Sequence, residues 1–232
     1  MDKSVLKNVN LFSDLNEHEL EKIYSRCDIR SYGKGEMVFF DTEPYQGFYI
    51  VIEGSVKIFK ITKDGREHIL YFIHPFNTFA EVPLLENYEK IRNEEFTYPA
   101  NAMSLDIDTK LILIRANVFY DILEKNSKMC LKMLSGLAKK LRHMNTYIES
   151  ITLDVPKRLA KFILSEQNKI STGQRDQIEL NISKHDLAAY LGTIDETLSR
   201  ALKKLQSDNL IEVNGKIIKI KDKKTLMKIA SD

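Results

Sequence analysis

The chain has 232 residues, 43% of them hydrophobic, with 35 Lys and Arg against 33 Asp and Glu for a net charge of +2. That length suits one large domain or two modest ones, and the apolar content is enough for packed cores. No run approaches the roughly 18 apolar residues of a membrane-crossing helix, and the N-terminus has no secretory apolar segment, so a cytoplasmic protein without a membrane partner is expected.

Residues 6–26 read as a short helical lead-in with Leu15, Leu20 and Ile23 on one side. Short apolar runs then follow at 36–40, 48–53, 56–61, 68–73 and 110–114, separated by the turns Lys34-Gly35, Glu53-Gly54 and Asp64-Gly65. Strands of that length at that spacing predict a sandwich or jelly roll. Cys27 and Cys130 are too far apart to suggest a disulfide framework and read as two buried thiols.

A long helix is predicted over 117–151. Cys130, Leu134, Leu137, Leu141, Met144, Ile148 and Ile151 follow spacings of 4, 3, 4, 3, 4 and 3. That is the a/d seam of a two-helix coiled coil, and it predicts a parallel homodimer through Leu134, Leu137, Leu141, Met144 and Ile148. Asp154 reads as an N-cap and Pro156 as a first-turn residue of the next helix, with a hinge at 152–154.

Residues 183–220 read as two short helices, a tight turn and a hairpin. The first helix, about 184–191, buries Leu187, Ala188 and Leu191 and ends at Gly192, which tolerates a left-handed backbone. The second starts near Asp195 and places Leu198, Ala201, Leu202 and Leu205 on one face. Its other face carries Glu196, Ser199, Arg200 and Lys203. Asn214-Gly215 between two β-rich runs signals a hairpin. A helix-turn-helix with such a wing reads double-stranded DNA, with its second helix in the major groove. Residues 151–232 hold 15 basic and 11 acidic side chains, against 20 and 22 in residues 1–150, so the basic end is the DNA end.

The leader Asp186-Leu187-Ala188-x-x-Leu191-Gly192, the run Glu196-Thr197-x-Ser199-Arg200 and the wing through Gly215-Lys216 resemble the winged helix of the Crp/Fnr family of bacterial transcription regulators. Tyr32-x-Lys34-Gly35-Glu36 and Phe48-Tyr49-Ile50-Val51-x-x-Gly54-x-Val56 resemble the β-roll that those sensors share with cyclic-nucleotide-binding domains. The resemblance implies an α+β chain: a β-roll sensor over 1–116, a coiled-coil dimerisation helix and hinge over 117–153, and a winged helix-turn-helix over 154–232. Contact with RNA polymerase is also implied. Arg200 is shaped for guanine O6 and N7, and Glu196 for a cytosine amino group. The order Glu-x-x-Ser-Arg resembles the Fnr branch, whose half-sites look like TTGA, while the cyclic-AMP branch has Arg where Asp195 stands. Ser183, Lys184, Thr197 and Lys216 are candidates for phosphate contacts.

The effector is less determined. In cyclic-nucleotide sites of the family a Glu takes the ribose hydroxyl and an Arg pairs with the phosphate. Phe79-Ala80-Glu81 keeps the Glu, which also reads as a structural acceptor for loop amides. The Arg position holds Tyr98-Pro99, so a buried phosphate would lack a cation there; Arg92, in the insertion 87–97, is the one substitute. Cyclic nucleotide is therefore not expected. An iron–sulfur cluster needs about four thiolates and is not expected either. Tyr98-Pro99-Ala100-x-Ala102 resembles the haem-dependent nitric-oxide responders of the family, so haem is the expected cofactor. Met144 and His143 lead as axial ligands of the haem iron, ahead of His68, His74 and Met103. No cupin metal triad, nucleophile elbow, P-loop or dinucleotide fingerprint occurs, and no enzyme is expected.

Overall fold

The fold was obtained as a computed structural model that describes residues 3–86, 96–124, 126–151, 153–169 and 176–231; inside the helices the side chains of His143, Thr146, Ser150, Ile151, Asn168, Lys169 and Ser231 lie outside the description. The chain divides into two compact units, Met1–Lys140 and Leu141–Asp232.

The first unit opens with two 3-10 turns, Lys3–Asn8 and Asn10–Phe12, followed by helix α1 (Glu17–Tyr24). The helical lead-in expected over residues 6–26 is thus present but divided, and Asn16 starts its last part. Its side chain accepts from the Glu19 amide at 3.0 Å while the Glu19 carboxylate accepts from the Asn16 amide at 2.9 Å, a capping box that starts a new helix.

Eight strands follow: β1 (Asp28–Tyr32), β2 (Met37–Phe39), β3 (Gly47–Glu53), β4 (Val56–Ile61), β5 (Glu67–Ile73), β6 (Thr78–Phe79), then, beyond helix α2 (Val82–Glu86), β7 (Asn101–Ser104) and β8 (Thr109–Arg115). They pair antiparallel in two four-stranded sheets, β1-β8-β3-β6 and β2-β7-β4-β5. This is the β-roll. β3 and β8 are buried on both faces, which is why they read as unbroken apolar runs. Phe48, Ile50, Ile112 and Ile114 pack with Leu6, Phe12, Leu20 and Phe119 on the side of the lead-in. Tyr49, Val51, Leu111 and Leu113 point the other way, into a second core with Phe39, Phe79 and Tyr98.

Helix α3 (Ala116–Leu123) ends before helix α4 (Ser127–Ile151) begins, where one helix was expected over 117–151. Asn126 makes the break: its side chain accepts from the Met129 amide at 3.1 Å and caps α4.

In the second unit, helix α5 (Val155–Lys169) starts behind Asp154, whose carboxylate accepts from the Lys157 amide at 3.0 Å, with Pro156 in the first turn. Strand β9 (Gln177–Glu179), helices α6 (Lys184–Tyr190) and α7 (Asp195–Ser207), strands β10 (Ile211–Asn214) and β11 (Ile217–Ile220) and helix α8 (Lys223–Ser231) complete it. The sheet order is β10-β11-β9. Leu159, Ile163, Leu187, Leu198, Leu202 and Ile218 sit at the centre of one core. Among the described residues no helix is long and apolar enough to cross a membrane.

Candidate DNA-binding surface and effector site

The sequence of α7 fixes one buried and one free face. Leu198, Ala201, Leu202 and Leu205 are buried, while Glu196, Arg200 and Lys203 are exposed and Ser199 and Thr197 half-exposed. Burying four apolar side chains of this size stabilises the packing of α7 by several kcal/mol at about 25 cal/mol per Å² of apolar surface. No side chain on the free face is needed for that packing. The turn before α7 depends on Gly192, at φ 63°, with the Thr193 amide donating to the Ala188 carbonyl at 2.9 Å. At the far end Asn209, at φ 56°, closes α7: the Leu210 amide reaches the Leu205 carbonyl at 3.0 Å, a Schellman arrangement.

On the free face the Arg200 guanidinium lies 3.9 Å from the Glu196 carboxylate and donates to the Thr197 hydroxyl at 3.3 Å. Arg200 thus lies along the free face of α7, toward the start of the helix, and remains exposed. Ser183 caps α6, accepting from the Asp186 amide at 3.0 Å, and Lys184 beside it is exposed. The wing turn lies one residue further on than Asn214-Gly215 suggested. Asn214 pairs with Ile217, so the loop is Gly215-Lys216, and of these only Gly215 has positive φ, at 61°, as a II′ turn requires. The turn therefore presents Lys216 at its exposed tip.

The seam on α4 is open to solvent within the single chain: Leu134, Leu141 and Ile148 are 61, 62 and 57% exposed and Met144 is 37% exposed, while Leu137 is half-buried.

In the β-roll, Glu81 is buried with its Oε1 accepting from the Lys140 ammonium at 2.5 Å and from the Thr78 hydroxyl at 2.9 Å. Its Oε2 is buried without a partner. Ala80 beside it holds φ 62°, and its carbonyl accepts from the Tyr45 hydroxyl at 2.8 Å. Lys140 brings to Glu81 a cation that the sequence reading did not find; it comes from α4, 59 residues away in the chain. The only sequence signal is that Lys140 stands next to the apolar seam.

Tyr98 is part of the packing. It is 1% exposed, stacks on Phe39 with ring centroids 3.8 Å apart, and its hydroxyl donates to the Gly47 carbonyl at 3.0 Å. Burial pushes its phenol pKa up, as it does for Tyr45 and Tyr49. Pro99 is exposed, two residues before β7. His68, His74 and Met103 are half-buried on the roll. Arg92 and the side chain of His143 lie outside the described residues. Cys27 and Cys130 are free and half-buried, and burial pushes the Cys27 thiol up to about 11, which disfavours the thiolate a metal would need.

A β-roll with a buried anion–cation pair and a winged helix-turn-helix with a free polar recognition face define the class of a two-unit DNA-binding regulator. The comparisons agree. The cyclic nucleotide-binding domain family matches residues 29–126 and the Crp-like helix-turn-helix domain family matches residues 157–229. The chain belongs to the Crp/Fnr family of transcription regulators. It is 24% identical over 229 residues, 97% of this chain and 98% of the other, to the CRP-like cAMP-activated global transcriptional regulator of Mycobacterium tuberculosis. FixK2 from Bradyrhizobium japonicum has a similar fold, with a TM-score of 0.74, 23% identity, and coverage of 88% of this chain and 96% of that one. A CooA mutant from Carboxydothermus hydrogenoformans gives a TM-score of 0.75 at 19% identity, covering 94% of this chain and 96% of that one. Such relatives are transcription regulators and not enzymes.

Proposed function

We propose that the chain is a homodimeric regulator that reads an inverted repeat of TTGA type and is gated by an effector in the β-roll. The observation that carries this reading is the free face of α7, where Glu196, Ser199 and Arg200 stand together over a fully packed opposite face. Arg200 reads guanine and Glu196 accepts from cytosine, while Ser183, Lys184, Thr197 and Lys216 take phosphates, Ser183 also capping α6. The exposed seam Leu134, Leu141, Met144 and Ile148 supplies the dimer contact, with Leu137 at its half-buried side. A two-fold dimer places two recognition helices about one turn of DNA apart. Residues 1–116 form the sensor, 117–153 the dimerisation helix and hinge, and 154–232 the DNA-binding domain. The regulator works in the cytoplasm and meets RNA polymerase at its promoters.

For the effector, haem with nitric oxide is supported by the Tyr98-Pro99-Ala100 segment and by the donor chemistry of Met144, a neutral thioether left exposed on α4. Bound haem would supply the iron that takes nitric oxide, and Met144 or His143 would ligate it; Tyr98 and Pro99 enter this reading through the resemblance alone, since Tyr98 is packed on Phe39 with its hydroxyl engaged at Gly47. A second reading, a small anionic molecule such as a cyclic nucleotide, is favoured by Lys140, which places a cation beside Glu81. The relative from Mycobacterium tuberculosis is cAMP-activated by name. Anaerobic titration with haem, then nitric oxide, followed by the Soret band, alongside calorimetric titration with cyclic AMP, separates the two. A saturable haem spectrum at one per protomer that is lost in Met144→Ala or His143→Ala supports haem. Saturable cyclic AMP binding that is lost in Lys140→Met supports the anionic effector. Saturation by neither ligand contradicts both.

A further inference from the structure

Helix α4 carries two stripes, and its own chain uses only one. Met129 and Met133 are buried in one core with Leu6, Phe12 and Phe119. Leu137 and Lys140 continue that line half-buried, with Lys140 bonded to Glu81. The second stripe faces water. Leu131, Leu134, Leu141 and Ile148 are 65, 61, 62 and 57% exposed, and Ala138 and Asn145 are exposed between them. In chain order these six residues follow spacings of 3, 4, 3, 4 and 3, a strict a/d pattern with Leu131, Ala138 and Asn145 at a.

Three of the six, Leu134, Leu141 and Ile148, belong to the heptad read from the sequence. The other line of that heptad stands one residue away from the exposed one. Cys130 and Leu137 are half-buried within the single chain, Cys130 donating from Sγ to the Leu123 carbonyl at 3.5 Å, and Met144 is only 37% exposed. These three flank the stripe and do not run along its centre.

We propose that Asn145 sets the pairing of two copies of the chain: it is the polar a-position residue of a seam formed by Leu131, Leu134, Ala138, Leu141 and Ile148, and it admits only the parallel, in-register dimer. The proposal rests on the homodimer reading and names the residue that fixes its geometry. The occupant of the stripe is a second α4, because a 3.5-residue repeat held over six positions interdigitates with a helix of the same repeat. Asn145 adds an independent reason. Covering the stripe strips water from its amide, and an apolar surface of any other kind leaves both the donor and the acceptor unpaired. Across a two-fold axis each Asn145 amide faces its own twin and can donate to the other's carbonyl. Antiparallel pairing sets a against d and puts Asn145 opposite a residue such as Leu134, while a slip of one heptad puts it opposite Ala138; neither can answer an amide.

Register matters for reading DNA. A slip of one heptad slides one helix by about 10 Å along the other and destroys the two-fold axis. That axis is what places two recognition helices on half-sites about one turn of DNA apart. Asn145 therefore serves recognition of an inverted repeat without touching a base.

The test uses the full-length chain in two measurements. The first is disulfide trapping under mild oxidation. Residues at a in a parallel pair face their own twins within disulfide reach, and residues at the flank do not. Cys130→Ser combined with Leu131→Cys is expected to give a covalent dimer, and the unaltered chain, with Cys130 in place, is not. The second is sedimentation over a concentration series. Asn145→Leu is expected to lower the dimer dissociation constant by at least about tenfold, since leucine carries no amide to desolvate. Added to the trapping variant, Asn145→Leu should also reduce the linked fraction, because slipped and antiparallel pairs then compete. An unchanged or raised dissociation constant would place Asn145 outside the seam and overturn the proposal. Linkage through Cys130 in the unaltered chain, with none through Leu131→Cys, would overturn the a/d assignment and the proposal with it. A tighter dimer with an undiminished linked fraction would remove the register role. An unaltered chain that stays monomeric at every concentration would contradict the homodimer reading itself, an outcome distinct from the failure of Asn145.

Discussion

The two units handle polar side chains in opposite ways. In the DNA-binding unit the polar set on α7 lies on the outside, over an apolar cluster, and the buried carboxylate of Asp186 is bonded to the Ser183 hydroxyl at the start of α6. In the sensor unit the notable polar group, Glu81, is buried, ion-paired to Lys140 and left with one unpartnered oxygen. An exposed set can be exchanged at little cost in stability, because surface changes away from special features stay within about 0.5 kcal/mol. A buried set is tied to folding, because an orphaned buried acceptor costs about 1–3 kcal/mol. Changes on α7 should therefore alter recognition without altering stability, and changes around Glu81 should alter both.

The largest expected effect is on recognition. Arg200→Ala should remove about 1–3 kcal/mol of discrimination per half-site while leaving weak, salt-sensitive binding to random DNA intact and thermal stability unchanged. Anisotropy titrations on matched and random duplexes check this, and equal losses on both would break the assignment. Leu141→Asp comes next. A charge placed at the centre of the seam should give monomers in light scattering, with the circular dichroism of each unit retained; an intact dimer would refute the seam. Lys140→Met should lower stability by about 1–3 kcal/mol in urea unfolding, because Glu81 keeps only the Thr78 hydroxyl, and Lys140→Arg should recover most of it. An unchanged midpoint would mean that the pair is solvent-screened and not part of a built site. The smallest effect is at Ala80. Its φ of 62° costs about 1–2 kcal/mol, partly offset in glycine by backbone entropy, so Ala80→Gly should stabilise the sensor by about 0.5 kcal/mol. A loss of stability there would argue that the methyl packs.

The same contrast explains how much the sequence disclosed. The DNA-binding unit was readable because its determinants are local: Gly192 ends α6, and one 3.6-residue stripe orients α7, while the Ser183 cap of α6 emerged only with the structure. Where the reading slipped, a longer-range choice decided. The wing loop is Gly215-Lys216 because Asn214 is already paired with Ile217. β1, β6, β7 and β9 are short or mixed in polarity, and pairing rather than periodicity makes them strands; β7 starts right behind Tyr98-Pro99-Ala100, which looks like a turn. Asn126 broke the long helix because an asparagine side chain offers a cap that a heptad count ignores. Lys140 was invisible as a partner of Glu81, since nothing local links two residues 59 apart. Tyr98 was noted for its motif, and its place in the aromatic stack with Phe39 emerged only with the packing.

The most direct test of the account is the affinity of the full-length chain for a duplex carrying an inverted TTGA repeat against the same duplex with one half-site scrambled. It should be measured without ligand, with haem and with cyclic AMP. Two protomers per intact duplex, bound at least about a hundredfold more tightly than to the scrambled one in one of these conditions, is the predicted result. Equal affinity for the two duplexes in all three conditions would contradict a two-fold reader.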